Sequence, residues 1–404
     1  AATVFYNREA VTMYEKMIGD IRDSQKPDGM VPGIAPEYVA FVNAQGDEPA
    51  RNSPEWGTAV ALSPWAAYRE YGDAQVLADG YAAMKRYLAY LASRADGHVL
   101  DFGLGDWYDV GPGKLGASQL TTRALTATAV YYHALTTFAK VARVLGQPET
   151  DAVAAERTAE LVKTAINSRF LHPEGFYDRN SQTANAMPLA VGLVPDEQRA
   201  AVLASLVQAV RDSRNGVTAG DVGFHYVVRA LAENGRDDVI LDMLSVTDRP
   251  SYGYQLAKGA TALTESWNAD PTKSLNHFML GHAEGWLFGG LAGIKVDFTA
   301  SPERVLTIAP KPVGKVEATS ATHRSVWGEV RSSWRRQAGG FELEVDIPAG
   351  ACGCIRVPTQ QPQTVLEGGK PAVSAPGIVK AKAVSGGLEL IAGSGRYRFT
   401  SILA

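Results

Sequence analysis

Residues 9–25 read EAVTMYEKMIGDIRDSQ, with apolar side chains at positions 10, 11, 13, 14, 17, 18 and 21. That spacing of about 3.6 residues predicts an amphipathic helix, and Pro27-Asp28-Gly29 stops it. The pattern recurs at about 55–71, 74–94, 119–145, 151–168, 182–192, 196–212, 222–233, 236–245 and 276–291, with a weaker candidate near 252–262. Asp73, Thr150 and Asp221 stand where N-caps are expected, and Gly146 and Gly235 stand where C-caps are expected. Several of these helices carry Ala and short apolar residues on more than one face, which suits helices enclosed by a second ring. About eleven helices in consecutive hairpins predict a mainly α fold, an (α/α)6 barrel of inner and outer rings. The spacing leaves this toroid short of its first helix, which is expected upstream of Ala1.

The pattern changes near Gly293-Ile294-Lys295. Short runs rich in Val, Ile and Thr follow at Arg304–Ala309, Gly328–Arg335, Phe341–Ile347, Cys354–Val357, Leu388–Ala392 and Tyr397–Ile402. Pro310, Pro312, Gly339-Gly340, Pro348, Gly368-Gly369 and Gly386-Gly387 punctuate them, and Phe341–Ile347 alternates apolar and polar residues. The expected organisation is a helical barrel over residues 1–295 and a small antiparallel β-sandwich over residues 296–404. A chain of 404 residues exceeds what a single core usually fills, in keeping with two domains.

Apolar content of 46% and charged content of 20% are those of an ordinary globular protein. A net charge of −4 gives no electrostatic reason to expect nucleic acid or an anionic membrane surface. No apolar run approaches the roughly 20 residues that cross a bilayer. Cys352 and Cys354 are too few for a zinc site and too close for an unstrained disulfide, so they are expected as small buried residues. Phosphate-binding, dinucleotide, nucleophile-elbow and zinc-protease motifs are all missing, so no metal or cofactor is implied.

Five segments between the helices carry polar and aromatic residues instead. They are Asp28–Tyr38; Ser53-Pro54-Glu55-Trp56-Gly57; Gly103–Pro112 with Asp106-Trp107-Tyr108-Asp109; Thr264-Glu265-Ser266-Trp267; and Ser274-Leu275-Asn276-His277, which leads to Glu284-Gly285-Trp286. Sugar-cleaving sites need a carboxylate for the proton or the water, an aromatic face for the C–H side of the ring, and amide or imidazole donors for hydroxyls. In a ring of hairpins such segments converge on one mouth. Each residue also has a purely structural reading. Glu265 could cap a helix, Trp56 and Trp107 could fill the core, and Asp106 and Asp109 could fix their loop through Asx-type bonds. Asn276 could be a cap, His277 a packing residue at a helix start, and His282 a structural residue.

The run from Pro27-Asp28-Gly29-Met30-Val31-Pro32 through Pro54-Glu55-Trp56-Gly57, Gly105-Asp106-Trp107-Tyr108-Asp109, Glu265-Ser266-Trp267, Ser274–His277 and Glu284-Gly285-Trp286-Leu287 resembles the α-L-rhamnosidases of glycoside hydrolase family 78. The likeness covers essentially the whole chain. It implies an inverting hydrolase of terminal α-L-rhamnosides, with a rhamnose-containing oligosaccharide or glycoside as ligand. By that resemblance Glu265 would be the general base, and His277 would hydrogen-bond the sugar. Trp56 and Trp107 would line the rhamnose subsite, and Glu55, Asp106, Asp109, Trp267 and Asn276 would border it. The family's general acid sits in a box resembling Glu-Arg-x-Gly-Trp, which these residues lack. An inverting enzyme needs two carboxyls roughly 6.5–9.5 Å apart. The acid is therefore expected from an upstream segment or a second chain, with Glu55 or Asp106 as substitutes. The rival expectations are another carbohydrate enzyme on the same toroid, such as a lyase, and a rhamnose-binding remnant without hydrolysis.

Overall fold

The computed structural model describes residues 2–39, 49–337 and 339–403. Its helices are α1 (Ala2–Asn7), α2 (Val11–Ser24), α3 (Pro54–Gly57), α4 (Ala59–Tyr71), α5 (Gln75–Arg94), α6 (Arg123–Val144) and α7 (Glu149–Phe170). After a short hairpin of β1 (Leu171–His172) and β2 (Phe176–Tyr177) come α8 (Gln182–Val191), α9 (Arg199–Asp212), α10 (Gly223–Glu233), α11 (Asp237–Ser245), α12 (Tyr252–Ala257) and α13 (Ala283–Trp286). Two compact units result. One comprises Val11–Ala66 and Asp73–His282; the other comprises Ala1–Ala10, Ala67–Gly72 and Ala283–Ala404.

Within the first unit, burial sorts the helices into two layers. In α6 every residue from Ala124 to Tyr132 is buried, and α8 is buried from Gln182 to Ala190. A helix apolar all round must be enclosed, so these two, with α10, form an inner layer. By contrast α7 and α9 bury single stripes, Ala152-Ala155-Ala159-Val162-Ile166 and Val202-Leu206-Val210, as helices packed from outside do. Each inner helix thus alternates with an outer one, the hairpin arrangement expected of an (α/α)6 toroid.

Two inner helices begin with a capping hydroxyl. Thr122 Oγ1 accepts from Leu125 N, and Ser181 Oγ from Ala184 N at 3.0 Å. Of the expected caps, Asp73 accepts from Gln75 N at 2.8 Å, whereas Thr150 lies inside α7. Asp221 precedes the start of α10 without capping it. The stretch expected as one helix over 276–291 is instead a 3-10 turn (Phe278–Leu280), α13 and a π-helical turn (Leu287–Leu291). Gly281, Gly285 and Gly289-Gly290 divide it, because glycine weakens a helix interior.

The second unit holds the remaining strands: β3 (Ile294–Val296), β4 (Leu306–Ile308), β5 (Ala318–Ser325), β6 (Gly328–Gln337), β7 (Gly340–Ile347) and β8 (Gly353–Pro358). They are followed by β9 (Leu366–Glu367), β10 (Lys370–Pro371), β11 (Ile378–Val384), β12 (Gly387–Ala392) and β13 (Gly395–Ile402). One sheet runs β10-β9-β13-β7-β6-β5 and the other β11-β12-β8-β4-β3. Leu343, Val345, Ile355, Leu390 and Phe399 are fully buried in this β-sandwich. All its pairs are antiparallel except β4 with β8, which is parallel, a departure from the all-antiparallel expectation. The alternation in β7 breaks at Glu342, which is buried because Arg335 and Arg398 both pair with it. Cys354 is buried as expected, but Cys352 is exposed.

Candidate active site

The loop before α6 is organised by two buried carboxylates. Asp106 Oδ2 accepts from Thr183 Oγ1 at 2.5 Å and from Gly220 N at 2.9 Å, and Oδ1 accepts from Gly223 N at 2.7 Å. One side chain therefore joins this loop to the starts of α8 and α10. Burial pushes its pKa up to about 6, against the pull of those three donors. Asp109 accepts from the backbone amides of Gln119 and Leu120 and folds the 110–118 excursion back on itself. Both aspartates are buried and bonded to distant residues, not to the local backbone that an Asx-type turn would use. Between them Trp107 is half-exposed and meets Tyr108 edge-on, with ring centroids 5.2 Å apart.

The backbone leaves no slack here. A Cβ on Gly220 would stand 2.1 Å from the Trp107 carbonyl oxygen, and one on Gly223 would stand 2.0 Å from Thr183 Oγ1. Asp221, between these glycines, gives its N–H to the Trp107 carbonyl at 2.8 Å. Its side chain is 4% exposed, and Oδ1 is buried without a hydrogen-bond partner among the described residues. Burial first, then the charges of Asp106 and Glu265, push its pKa up to about 8. Asp221 is the residue that sequence reasoning missed. Its position at a helix entrance reads as a cap, and nothing local reveals two further carboxylates nearby.

Glu265 and His277 lie on two segments laced together. Glu265 N donates to the Ser274 carbonyl at 2.8 Å, Ser274 N returns a bond to Glu265 Oε2 at 3.0 Å, and His277 N donates to the Leu263 carbonyl at 2.7 Å. Both residues are half-buried. Lys273, with Nζ 5.8 Å from the centre of the Tyr108 ring, lies within the field of Glu265. His277 stands at the helix start expected of it, as the extended N-cap residue of the 3-10 turn Phe278–Leu280. Asn276 is exposed, and its N–H bonds to Ser274 Oγ.

Trp267 is placed differently from its sequence reading. It is fully buried, meets Phe224 edge-on at 4.9 Å, and donates Nε1–H to the Ala219 carbonyl at 2.8 Å. With no open face it cannot stack on a sugar; it anchors the Glu265 loop to the backbone just before Gly220. Trp56 in α3 is half-exposed, and the neighbouring Glu55 accepts from Ser53 Oγ at 2.6 Å and Thr126 Oγ1 at 2.7 Å. Burial pushes Glu55 up to about 7, with Asp106 adding repulsion. Further along, Gly33 N donates to the Arg51 carbonyl at 2.7 Å, which ties the Asp28–Tyr38 segment to the Trp56 segment.

Glu55, Asp106, Asp221 and Glu265 thus form a series in which each carboxyl opposes ionisation of a neighbour. The series runs through three of the five polar segments, and the lacing of Glu265 to His277 adds a fourth. His282 and His225 face each other with ring centroids 4.9 Å apart, and burial holds the His282 pKa down near about 3. Both rings are neutral packing groups, as the structural reading of His282 has it. Glu284 and Trp286 belong to the other compact unit, where Glu284 accepts from Asn7 Nδ2 at 2.6 Å and Trp286 is buried. Among the described residues no cluster of His, Cys, Asp and Glu could hold a metal ion, and no helix is long and apolar enough to cross a membrane.

Two family models match successive parts of the chain. The family model described as the bacterial alpha-L-rhamnosidase 6 hairpin glycosidase domain matches residues 1–291, and the bacterial alpha-L-rhamnosidase C-terminal domain matches residues 304–371. A curated relative, an alpha-L-rhamnosidase of Streptomyces avermitilis, is 29% identical over 410 residues, covering 99% of this chain and 37% of that protein. The solved structure of the alpha-L-rhamnosidase from that organism complexed with L-rhamnose superposes with a TM-score of 0.87 at 28% identity, over 99% of this chain and 37% of the other. The alpha-L-rhamnosidase structure from Dictyoglumus thermophilum gives 0.88 at 27% identity, over 99% of this chain and 44% of the other. The chain therefore spans less than half the length of these relatives.

Proposed function

Because this chain belongs to the bacterial α-L-rhamnosidase six-hairpin glycosidase family, we propose that it carries the barrel of an enzyme that hydrolyses terminal α-L-rhamnosides with inversion, and that Glu265 is the general base. The observation that carries the assignment is how Glu265 is held. Its backbone is fixed to Ser274 and, among the described residues, only its Oε2 takes a protein donor, at 3.0 Å, which leaves Oε1 for a water. A base needs that combination of fixed position and open lone pairs. Asp106, by contrast, has both oxygens occupied by Thr183, Gly220 and Gly223.

In the proposed mechanism the half-exposed indoles of Trp56 and Trp107 cover the apolar face of the deoxyhexose, and His277 hydrogen-bonds a hydroxyl beside the base. A carboxylic acid on the opposite face protonates the glycosidic oxygen as an oxocarbenium-like centre develops. Glu265 takes a proton from the water attacking the anomeric carbon, and sugar and alcohol leave with the configuration inverted. Neither Glu55 nor Asp106 serves as the acid, since hydrogen-bond donors within the protein already occupy both oxygens of each. The acid belongs to the Glu-Arg-x-Gly-Trp-like box of the family, supplied from outside these residues.

The test uses the protein at its natural length and an aryl α-L-rhamnoside. Glu265→Gln keeps the Ser274 contact but cannot accept a proton, so turnover should fall by about two to four orders of magnitude. Binding of L-rhamnose, read by calorimetry, should persist. A variant that hydrolyses at near wild-type rate removes Glu265 from the role.

A further inference from the structure

Trp107 also lines a cavity of about 590 Å³ whose other lining residues stand outside the proposed rhamnose site. Trp107 and Phe170 contribute apolar wall, and the side chains of Arg123, Arg169 and Arg179 line it together with a single carboxylate, Asp101. The arginines come from three places: the first turn of α6, the last turn of α7 and the loop before α8. Their charges are poorly compensated. Arg123 Nε lies 3.5 Å from Asp101 Oδ1, and both side chains are half exposed, which screens the pair. Arg169 stacks over the Phe170 ring at 5.3 Å, and Arg179 Nη1 donates to the Gln119 carbonyl at 2.8 Å. Neither contact cancels a charge. Asp109 feels the charge of Arg179, but its oxygens are turned to the amides of Gln119 and Leu120, and the Oδ2 of the adjacent Asp178 accepts from Thr122 N.

We propose that this cavity binds an acidic sugar unit next to the rhamnose, one carrying a carboxylate or a sulfate, and so makes an anionic rhamnosyl saccharide the preferred substrate. The inference rests on Trp107 bordering the rhamnose subsite, since that indole is the wall the two spaces share. The volume lies within the roughly 300–1,000 Å³ of small-molecule sites. The indole and phenyl walls suit the C–H face of a pyranose ring, and guanidinium forks match the planar oxygens of a carboxylate or the oxygens of a sulfate. The three arginines are open to solvent at the cavity's edge, and a neutral sugar would leave at least two of them without a carboxylate partner, an arrangement that favours an anion.

The test measures binding of a rhamnosyl-glucuronate disaccharide, its sulfated rhamnosyl-glucose counterpart and the neutral rhamnosyl-glucose to the protein at its natural length. At low salt one or both acidic ligands should bind about tenfold more tightly than the neutral one. The arm that gains identifies carboxylate or sulfate as the source. The gain should shrink at about 0.5 M salt and vanish in Arg169→Gln/Arg179→Gln, while affinity for the neutral disaccharide holds. The salt series on the wild type needs no variant, so it stands even if the substitutions impair folding. Equal affinity for neutral and acidic ligands, or a gain that survives both changes, overturns the proposal. If the neutral disaccharide is bound and the acidic ones gain nothing, only the cavity assignment falls; if none of the three binds, the rhamnoside reading falls with it.

Discussion

Asp221 donates its backbone N–H to the carbonyl oxygen of Trp107 at 2.8 Å, which ties the entrance of α10 to the indole-bearing loop before α6. The Asp221 side chain is shut off from water and repelled by both Asp106 and Glu265. A carboxyl in that position stays protonated at neutral pH. It therefore adds no third negative charge beside the proposed base.

A dependence of stability on pH follows, and its sign is fixed. In the unfolded chain an aspartate titrates near about 3.9; folded, Asp221 titrates at about 8. Between those values the native state holds a proton that the unfolded state has released. Stability from this group is complete below the lower value and is lost as pH rises through the upper one, by up to about 1.4 kcal/mol per pH unit. Asp106, at about 6, and Glu55, at about 7, act in the same direction over narrower windows. Asp221→Asn should flatten the fall between about pH 5 and 8 in urea-unfolding series and leave stability at about pH 3 little changed. An unaltered slope in that interval would place the proton elsewhere.

The same junction predicts a glycine that tolerates no side chain. A Cβ at Gly220 would meet the Trp107 carbonyl oxygen at 2.1 Å and the Asp109 amide nitrogen at 2.6 Å, both of them backbone. Backbone cannot swing aside as a side-chain tip can, so Gly220→Ala should cost about 1–3 kcal/mol. It should also disturb the indole environment in near-ultraviolet circular dichroism. Gly192→Ala is the control: it has open space around it and a left-handed φ of 82°, so its cost should be confined to local backbone strain, with the indole signal intact. Equal spectral effects from the two variants would refute the clash.

Much of this arrangement is legible in the sequence because helical periodicity is a local signal. The spans expected for α5, α8, α9 and α11 lie within a few residues of the observed ones, since each repeats its apolar spacing over several turns. The strands β5 and β11 escape because they are sheet edges with little to bury. Ala318–Ser325 has one buried residue, His323, and Ile378–Val384 has none. The site is legible as composition but not as role. A carboxylate beside a Trp describes Glu55-Trp56, Asp106-Trp107 and Glu265-Ser266-Trp267 equally well. Only the partners in the folded chain separate them: among the described residues, three donors on Asp106, two hydroxyls on Glu55 and a single amide on the Glu265 side chain. Asp221 has no local signature at all, because its environment is made by residues more than forty positions away in either direction.

The two tryptophans that read alike in sequence should part company on mutation. Trp267 is fully enclosed against Phe224 and hydrogen-bonded to the Ala219 carbonyl, so Trp267→Ala opens a large cavity and orphans a buried acceptor. The expected cost is about 3–5 kcal/mol, visible as a lower denaturation midpoint, with activity lost in step with folded protein. Trp56 keeps a half-exposed indole at the end of α3 and takes no part in such an anchor. Trp56→Ala should leave the midpoint within about 1 kcal/mol of wild type and weaken L-rhamnose binding about tenfold or more, the loss of a stacking face. Calorimetric titration with L-rhamnose, run beside thermal melts of both variants, separates the two roles. A Trp56→Ala protein that unfolds early yet binds rhamnose normally would make Trp56 a core residue and remove it from the proposed subsite.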